Sequence, residues 1–346
     1  MQLPRFLRTI RENFGQKAEK QPYDYQNLVF KGGGVRGIAY MGALEKLDDL
    51  GIINGIERVA GTSSGAIAAT LLSFRLSIAD TLALFNELDL SRIPQKSIRD
   101  RHGKILTIAN PGSYKRLFDS YGWYSSEYFY QWISGVIADK CKGNSRATFR
   151  YFRNAGFRDL YIVASNISRH RPEVFSFEST PDTAVADAVR LSMSIPLYFE
   201  ALRFDGSQFG QGDFYVDGGL FNNYPLEIFD HLEFVRNPKM FWEGLNWETL
   251  GLYLAPDEEK YADVAEYPKN LWEFVALTGK NYYDSHQTSS LRNNILDERR
   301  TIQISDCGVS STDFDIQPGS EIYQKLYNSG SQAVTGYFDS LGDLLG

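Results

Sequence analysis

Cysteine and histidine are scarce in this chain of 346 residues: there are two cysteines, Cys141 and Cys307, and four histidines. Two distant thiols can build neither a disulfide framework nor a structural zinc site, so both cysteines are read as reduced thiols of a cytoplasmic protein. No apolar run approaches the ~20 residues of a membrane span. The N-terminus lacks the apolar core and small-residue cleavage site of a secretory signal. A soluble or peripheral protein follows as the expectation. An excess of positive charge is missing as well: the net charge is −7, which argues against nucleic acid as a partner. There is no internal repeat and no low-complexity tract.

Positive charge does gather at one end. Residues 1–20 carry Arg5, Arg8, Arg11, Lys17 and Lys20 against Glu12 and Glu19. Leu3, Phe6, Leu7, Ile10 and Phe14 recur there at helical spacing. Such a basic amphipathic helix either lies on an anionic membrane surface or docks on the domain. Residues 1–25 are read as this helix and a linker, 26–338 as one catalytic domain, and 339–346 as a tail.

Within the domain the first unit is an apolar strand from Asn27, the glycine run Gly32-Gly33-Gly34, and a helix from about Val35 with Tyr40, Ala43, Leu44 and Leu47 on one face. A second strand, Glu57 to Ala60, enters Gly61-Thr62-Ser63-Ser64-Gly65, and a helix of small residues follows. Ser77 and Asp80 form a capping box for the next helix. This alternation predicts an α/β sheet with helices on both faces. Residues 91–150 are rich in aromatics and either cap a lipid site or, more simply, fill a core. Further strands are expected at Asp159–Ala164, Phe214–Val216 and Thr301–Ile304, and a helix at Thr183–Ser192. Pro225 suits the first turn of another helix. After Lys239 the pattern weakens.

Chemistry concentrates at three turns. A serine between Gly61 and Gly65, on a strand-to-helix turn, is held in a tight conformation that projects its hydroxyl. The positive end of the following helix favours a developing oxyanion there. The turn Gly32–Gly37 opens a helix with backbone N–H groups, an anion cradle to which Arg36 adds charge. Its spacing also fits a dinucleotide-binding loop, but the acidic residue that such a loop needs is absent from the end of the second strand, since Glu57 opens that strand. Asp217 closes a strand and precedes Gly218 and Gly219, an arrangement that suits a base and an ordinary turn equally well. The order Ser63, Asp217, His286 would satisfy a serine–histidine–aspartate triad. A catalytically silent lipid-binding protein is a further possibility.

Taken together, Lys31-Gly-Gly-Gly-Val-Arg-Gly37, Gly-Thr-Ser-Ser-Gly65 and Asp-Gly-Gly219 resemble the motifs of the patatin-like phospholipases. Leu191-Ser-Met-Ser-Ile-Pro-Leu-Tyr-Phe199 and Asn222-Asn-Tyr-Pro225 resemble that family too, and the likeness covers about residues 26–230. It implies a three-layer α/β/α fold with a mostly parallel central sheet, related to the α/β-hydrolases. It also implies lipid acyl hydrolysis of a phospholipid or lysophospholipid by a Ser–Asp dyad, with Ser63 as nucleophile and Asp217 as base. The amides of Gly32, Gly33, Gly34, Val35 and Gly37, with Arg36, would form the oxyanion site, without metal or cofactor. Lys31 departs from the acidic residue frequent in the family, a difference that bears on substrate or regulation. Neither head-group preference nor a required activator is written in these motifs.

Overall fold

The computed structural model describes residues 24–94, 111–257, 267 and 295–345. Twelve strands are present: β1 (Asn27–Phe30), β2 (Arg58–Thr62), β3 (Gly122–Tyr124), β4 (Asp159–Asn166), β5 (Arg171–Phe175), β6 (Leu197–Phe199), β7 (Leu202–Phe204), β8 (Asp213–Asp217), β9 (Phe241–Trp242), β10 (Leu245–Asn246), β11 (Thr249–Ala255) and β12 (Thr301–Ser305). The α-helices are α1 (Ala39–Asp49), α2 (Ser64–Ser73), α3 (Ile78–Asn86), α4 (Pro111–Ser120), α5 (Glu127–Lys140), α6 (Phe149–Asn154), α7 (Val185–Ser192), α8 (Ile295–Arg299) and α9 (Glu321–Leu345). Among the described residues no helix is long and apolar enough to cross a membrane. The basic segment 1–20 lies outside the described residues, as does His286.

Eight strands form one central sheet in which hydrogen-bonded neighbours run β12-β11-β1-β2-β4-β8-β7, with β5 also paired to β4. From β12 to β4 every pairing is parallel; β5, β8 and β7 join antiparallel. Parallel strands buried on both faces read as continuous apolar runs, and Asn27–Phe30 and Thr249–Leu254 are buried at every position. Alternate residues point to opposite faces. Leu28, Phe30, Ile162, Leu252 and Ile302 thus enter the main core with the helices. Val29, Ala60, Tyr161 and Tyr253 enter a smaller core closed by Leu226, Phe229 and Phe234.

The sequence pattern beyond Lys239 hides β11, the direct neighbour of β1. Gly251 interrupts its apolar run, because the Tyr224 hydroxyl occupies the space a side chain there would need. Pro225 opens only a 3-10 turn, Leu226–Phe229. Half of the expected capping box is present: Ser77 Oγ accepts the N–H of Asp80 at 3.1 Å, while the Asp80 carboxylate accepts from the Ser77 hydroxyl at 2.6 Å. In the aromatic region Phe129, Phe149 and Phe152 fill the core, while Tyr121 is exposed beside Phe214. β3 pairs with β6, which ties this region to the chain that follows α7.

Candidate active site

Three loops leave the sheet side by side. Phe30 of β1 is level with Gly61 of β2, so the glycine turn and the serine turn start together. Gly32 then lies against the serine: a Cβ at Gly32 would be 3.1 Å from Ser63 Cβ. Ser63 has φ 55° and ψ −124°, a left-handed conformation that a side chain adopts only under constraint. Gly65 makes the tight turn feasible, since a side chain there would overlap the carbonyl of Phe30.

Asp217 arrives from the opposite direction. β5 lines one side of β4 from Ile162 to Asn166. The other side is shared: β2 occupies it up to Val163, opposite Thr62, and β8 from Ala164, opposite Asp217. The carboxyl ends of β2 and β8 therefore meet head-on, about one residue rise (~3.3 Å) apart along β4. Gly218 confirms the approach, because a Cβ there would be 2.8 Å from Thr62 Cγ2. Ser63 and Asp217 both leave at this junction and both are buried, at 3% and 0% exposure.

The end of α7 and the residues just after it hold both. Ser192 Oγ accepts the N–H of Ser63 at 2.9 Å, and the carbonyl of Ser194 accepts the N–H of Asp217 at 2.7 Å. One carboxylate oxygen of Asp217 accepts the N–H of Gly219 at 2.8 Å. The Asn-Asn-Tyr-Pro block closes the frame: Thr62 Oγ1 donates to the carbonyl of Asn222 at 2.9 Å, and Asn223 Nδ2 donates to that of Gly32 at 3.0 Å.

Of the six residues expected to bind an oxyanion, four are engaged elsewhere. Gly32 N–H donates to the Asn223 carbonyl at 3.0 Å and Val35 N–H to that of Ser311 at 3.0 Å. The Arg36 guanidinium is buried against Asp306 at 2.8 Å and donates to the Gly33 carbonyl at 3.0 Å. Gly37 lies inside the 3-10 turn Gly34–Ile38, where a side chain would crowd Ser64. Gly33 and Gly34 are the two whose N–H groups meet no acceptor among the described residues.

Lys31 is also buried; its Nζ donates to the Leu254 carbonyl at 2.8 Å and lies 4.1 Å from the centre of the Tyr253 ring. Of the histidines, His170 is exposed in the β4–β5 turn and His231 is exposed beside Phe234; His102 and His286 fall outside the described residues. Glu57 sits at the start of β2, paired with Arg75, away from the glycine turn. Among the described residues no group of three or more His, Cys, Asp or Glu side chains is placed to hold a metal ion. Sequence reasoning flagged the blocks holding Ser192 and Asn223 without assigning those residues a task. Asp306 and Ser311 carried no signal at all.

The chain is 27% identical over 317 residues to a protein of Acanthamoeba polyphaga mimivirus, covering 89% of this chain and 92% of that one. A probable lipid hydrolase of Invertebrate iridescent virus 6 is 30% identical over 209 residues, 60% of this chain and 64% of that one. The crystal structure of VipD from Legionella pneumophila superposes with a TM-score of 0.55 at 18% identity, covering 92% of this chain and 67% of that one, which is a likeness of fold. The sequence pattern of the patatin-like phospholipases matches residues 28–230, more than half of the chain. The chain therefore belongs to the patatin-like phospholipase family.

Proposed function

We propose that this protein hydrolyses fatty-acyl esters of phospholipids or lysophospholipids through a Ser63–Asp217 dyad. The observation that carries the reading is the head-on meeting of β2 and β8 on one side of β4, with the glycine turn alongside. In this reading Asp217 takes the proton of Ser63 Oγ as that oxygen attacks the acyl carbonyl carbon. The carbonyl oxygen becomes an oxyanion and accepts from the amides of Gly33 and Gly34. Collapse breaks the bond to the alcohol, which leaves with the proton returned by Asp217. Water then gives a proton to Asp217 and attacks the acyl-enzyme; the bond from the acyl carbon to Ser63 Oγ breaks, the fatty acid leaves, and Asp217 returns the proton to Ser63 Oγ.

A carboxylate is a weak base toward a hydroxyl, so the fixed amides and the strained serine must lower the barrier heavily; one such donor is worth about 3–4 kcal/mol. No metal takes part in this scheme, and turnover should persist in a chelator. Residues 1–20, with a net charge of +3, would bring the enzyme to an anionic membrane surface where its substrate lies.

The test is active-site labelling. A fluorophosphonate should form one covalent adduct, mapped by mass spectrometry to Ser63, and none in Ser63→Ala. An adduct on another residue, or a protein that resists labelling while still cleaving esters, would count against the reading.

A further inference from the structure

A trans peptide unit holds its C=O and the next N–H on opposite sides of one plane. Whatever grips the carbonyl of one residue therefore sets the direction of the following amide. The carbonyl of Gly32 is held by Asn223 Nδ2 at 3.0 Å, which fixes the N–H of Gly33. The carbonyl of Gly33 is held by Arg36 Nε at 3.0 Å and by the Arg36 backbone N–H at 3.3 Å, which together fix the N–H of Gly34. Arg36 is itself fixed: its Nη1 meets Asp306 Oδ2 at 2.8 Å, and Asp306 is completely buried. From the same segment the Ser311 carbonyl accepts the N–H of Val35 at 3.0 Å and closes the space beside Gly34. Asp306 and Ser311 lie outside the residues 28–230 that match the family.

We infer that Asn223, and Asp306 acting through Arg36, are positioning residues that aim the two oxyanion donors. Arg36 is then a strut behind the glycine turn and makes no contact with the oxyanion. The planar guanidinium of arginine suits this task, since its separate N–H groups reach a carbonyl and a carboxylate at once in fixed directions, which a lysine ammonium does less well. The second carboxylate oxygen of Asp306 accepts the N–H of Gly308 at 2.9 Å and of Asp257 at 3.1 Å. An asparagine there would keep its oxygen on those amides and turn an N–H₂ donor against the Arg36 donor.

The inference rests on the reading that Gly33 and Gly34 are the oxyanion donors, and the experiment separates the two. It uses the full chain and its Asp306→Asn, Asn223→Ala, Arg36→Lys and Ser63→Ala variants. The readouts are kcat and KM on a soluble nitrophenyl acyl ester, and Ki for an alkyl trifluoromethyl ketone, which adds to a serine as an oxyanion. Asp306→Asn should lower kcat at least tenfold, about the scale of a misplaced oxyanion donor, with KM within twofold. The ketone Ki should rise by the factor by which kcat/KM falls, and Asp306→Glu should restore part of both. Asn223→Ala and Arg36→Lys should move the same two readouts, so the test survives if one variant fails to fold. Folded variants that keep kcat and ketone affinity within twofold, beside an inactive Ser63→Ala, would overturn the inference alone. An active Ser63→Ala would sink the reading beneath it.

Discussion

Ser192 holds Ser63: its hydroxyl accepts the Ser63 N–H at 2.9 Å and donates to the Val163 carbonyl at 2.6 Å. One buried side chain thus ties the strained serine turn to the neighbouring strand. Ser192→Ala leaves a buried N–H and a buried carbonyl without this partner, a loss of about 1–3 kcal/mol. Denaturant unfolding should show that drop, with turnover lowered at unchanged KM. Wild-type stability would mean that the bond contributes nothing.

Gly34 and Gly156 both have positive φ, at 60° and 78°, yet they differ in the space around them. An alanine at Gly156 meets nothing within 4 Å, whereas at Gly34 it would overlap the Ser311 carbonyl. Gly156→Ala should cost only the left-handed penalty, about 1–2 kcal/mol, and keep full turnover. Gly34→Ala should lose more stability and most activity. Thermal melts and ester assays on both variants check the contrast; equal behaviour would contradict it.

Arg300 is 2% exposed and donates to both carboxylate oxygens of Asp230, each at 2.6 Å, and to Asp297. Removing one member of a buried ion pair typically costs about 3–5 kcal/mol because the other charge is stranded. Arg300→Met is therefore expected to be strongly destabilising in chemical denaturation. A loss below 1 kcal/mol would show that water reaches Asp230 easily.

The two thiols should separate by reactivity. Burial pushes the Cys141 thiol up to about 11, above its ordinary value of 9.0, while Cys307 is only half-buried. A raised thiol pKa favours the neutral form in the folded state. That stabilisation is present below pH 9 and is lost as the pH rises through about 11. At pH 8 a disulfide reagent should titrate Cys307 rapidly and Cys141 only on unfolding. Two fast thiols in the native protein would contradict this.

The parts of the site that the sequence makes legible are those built locally. Gly32–Gly34, Gly61–Gly65 and Asp217–Gly219 are turns at strand ends, where glycine is needed by the backbone within a few residues of the functional side chain. What it hides is built at long range. Arg36 reads as an anion ligand because charge is visible in a sequence, and its partner Asp306, 270 residues away, is not. β11 hides for a similar reason, since Gly251 makes sense only once Tyr224 is seen to fill its place. Ser192 sits in a recognisable block, but its bond to Ser63 spans 129 residues.

The proposed dyad requires Asp217 to serve Ser63 directly. It is tested by fatty-acid release from phospholipid vesicles by the wild type, Ser63→Ala and Asp217→Asn, all shown to be folded. Release by the wild type alone is the expected result. Near-normal release by Asp217→Asn would contradict it, and would place the base on another residue.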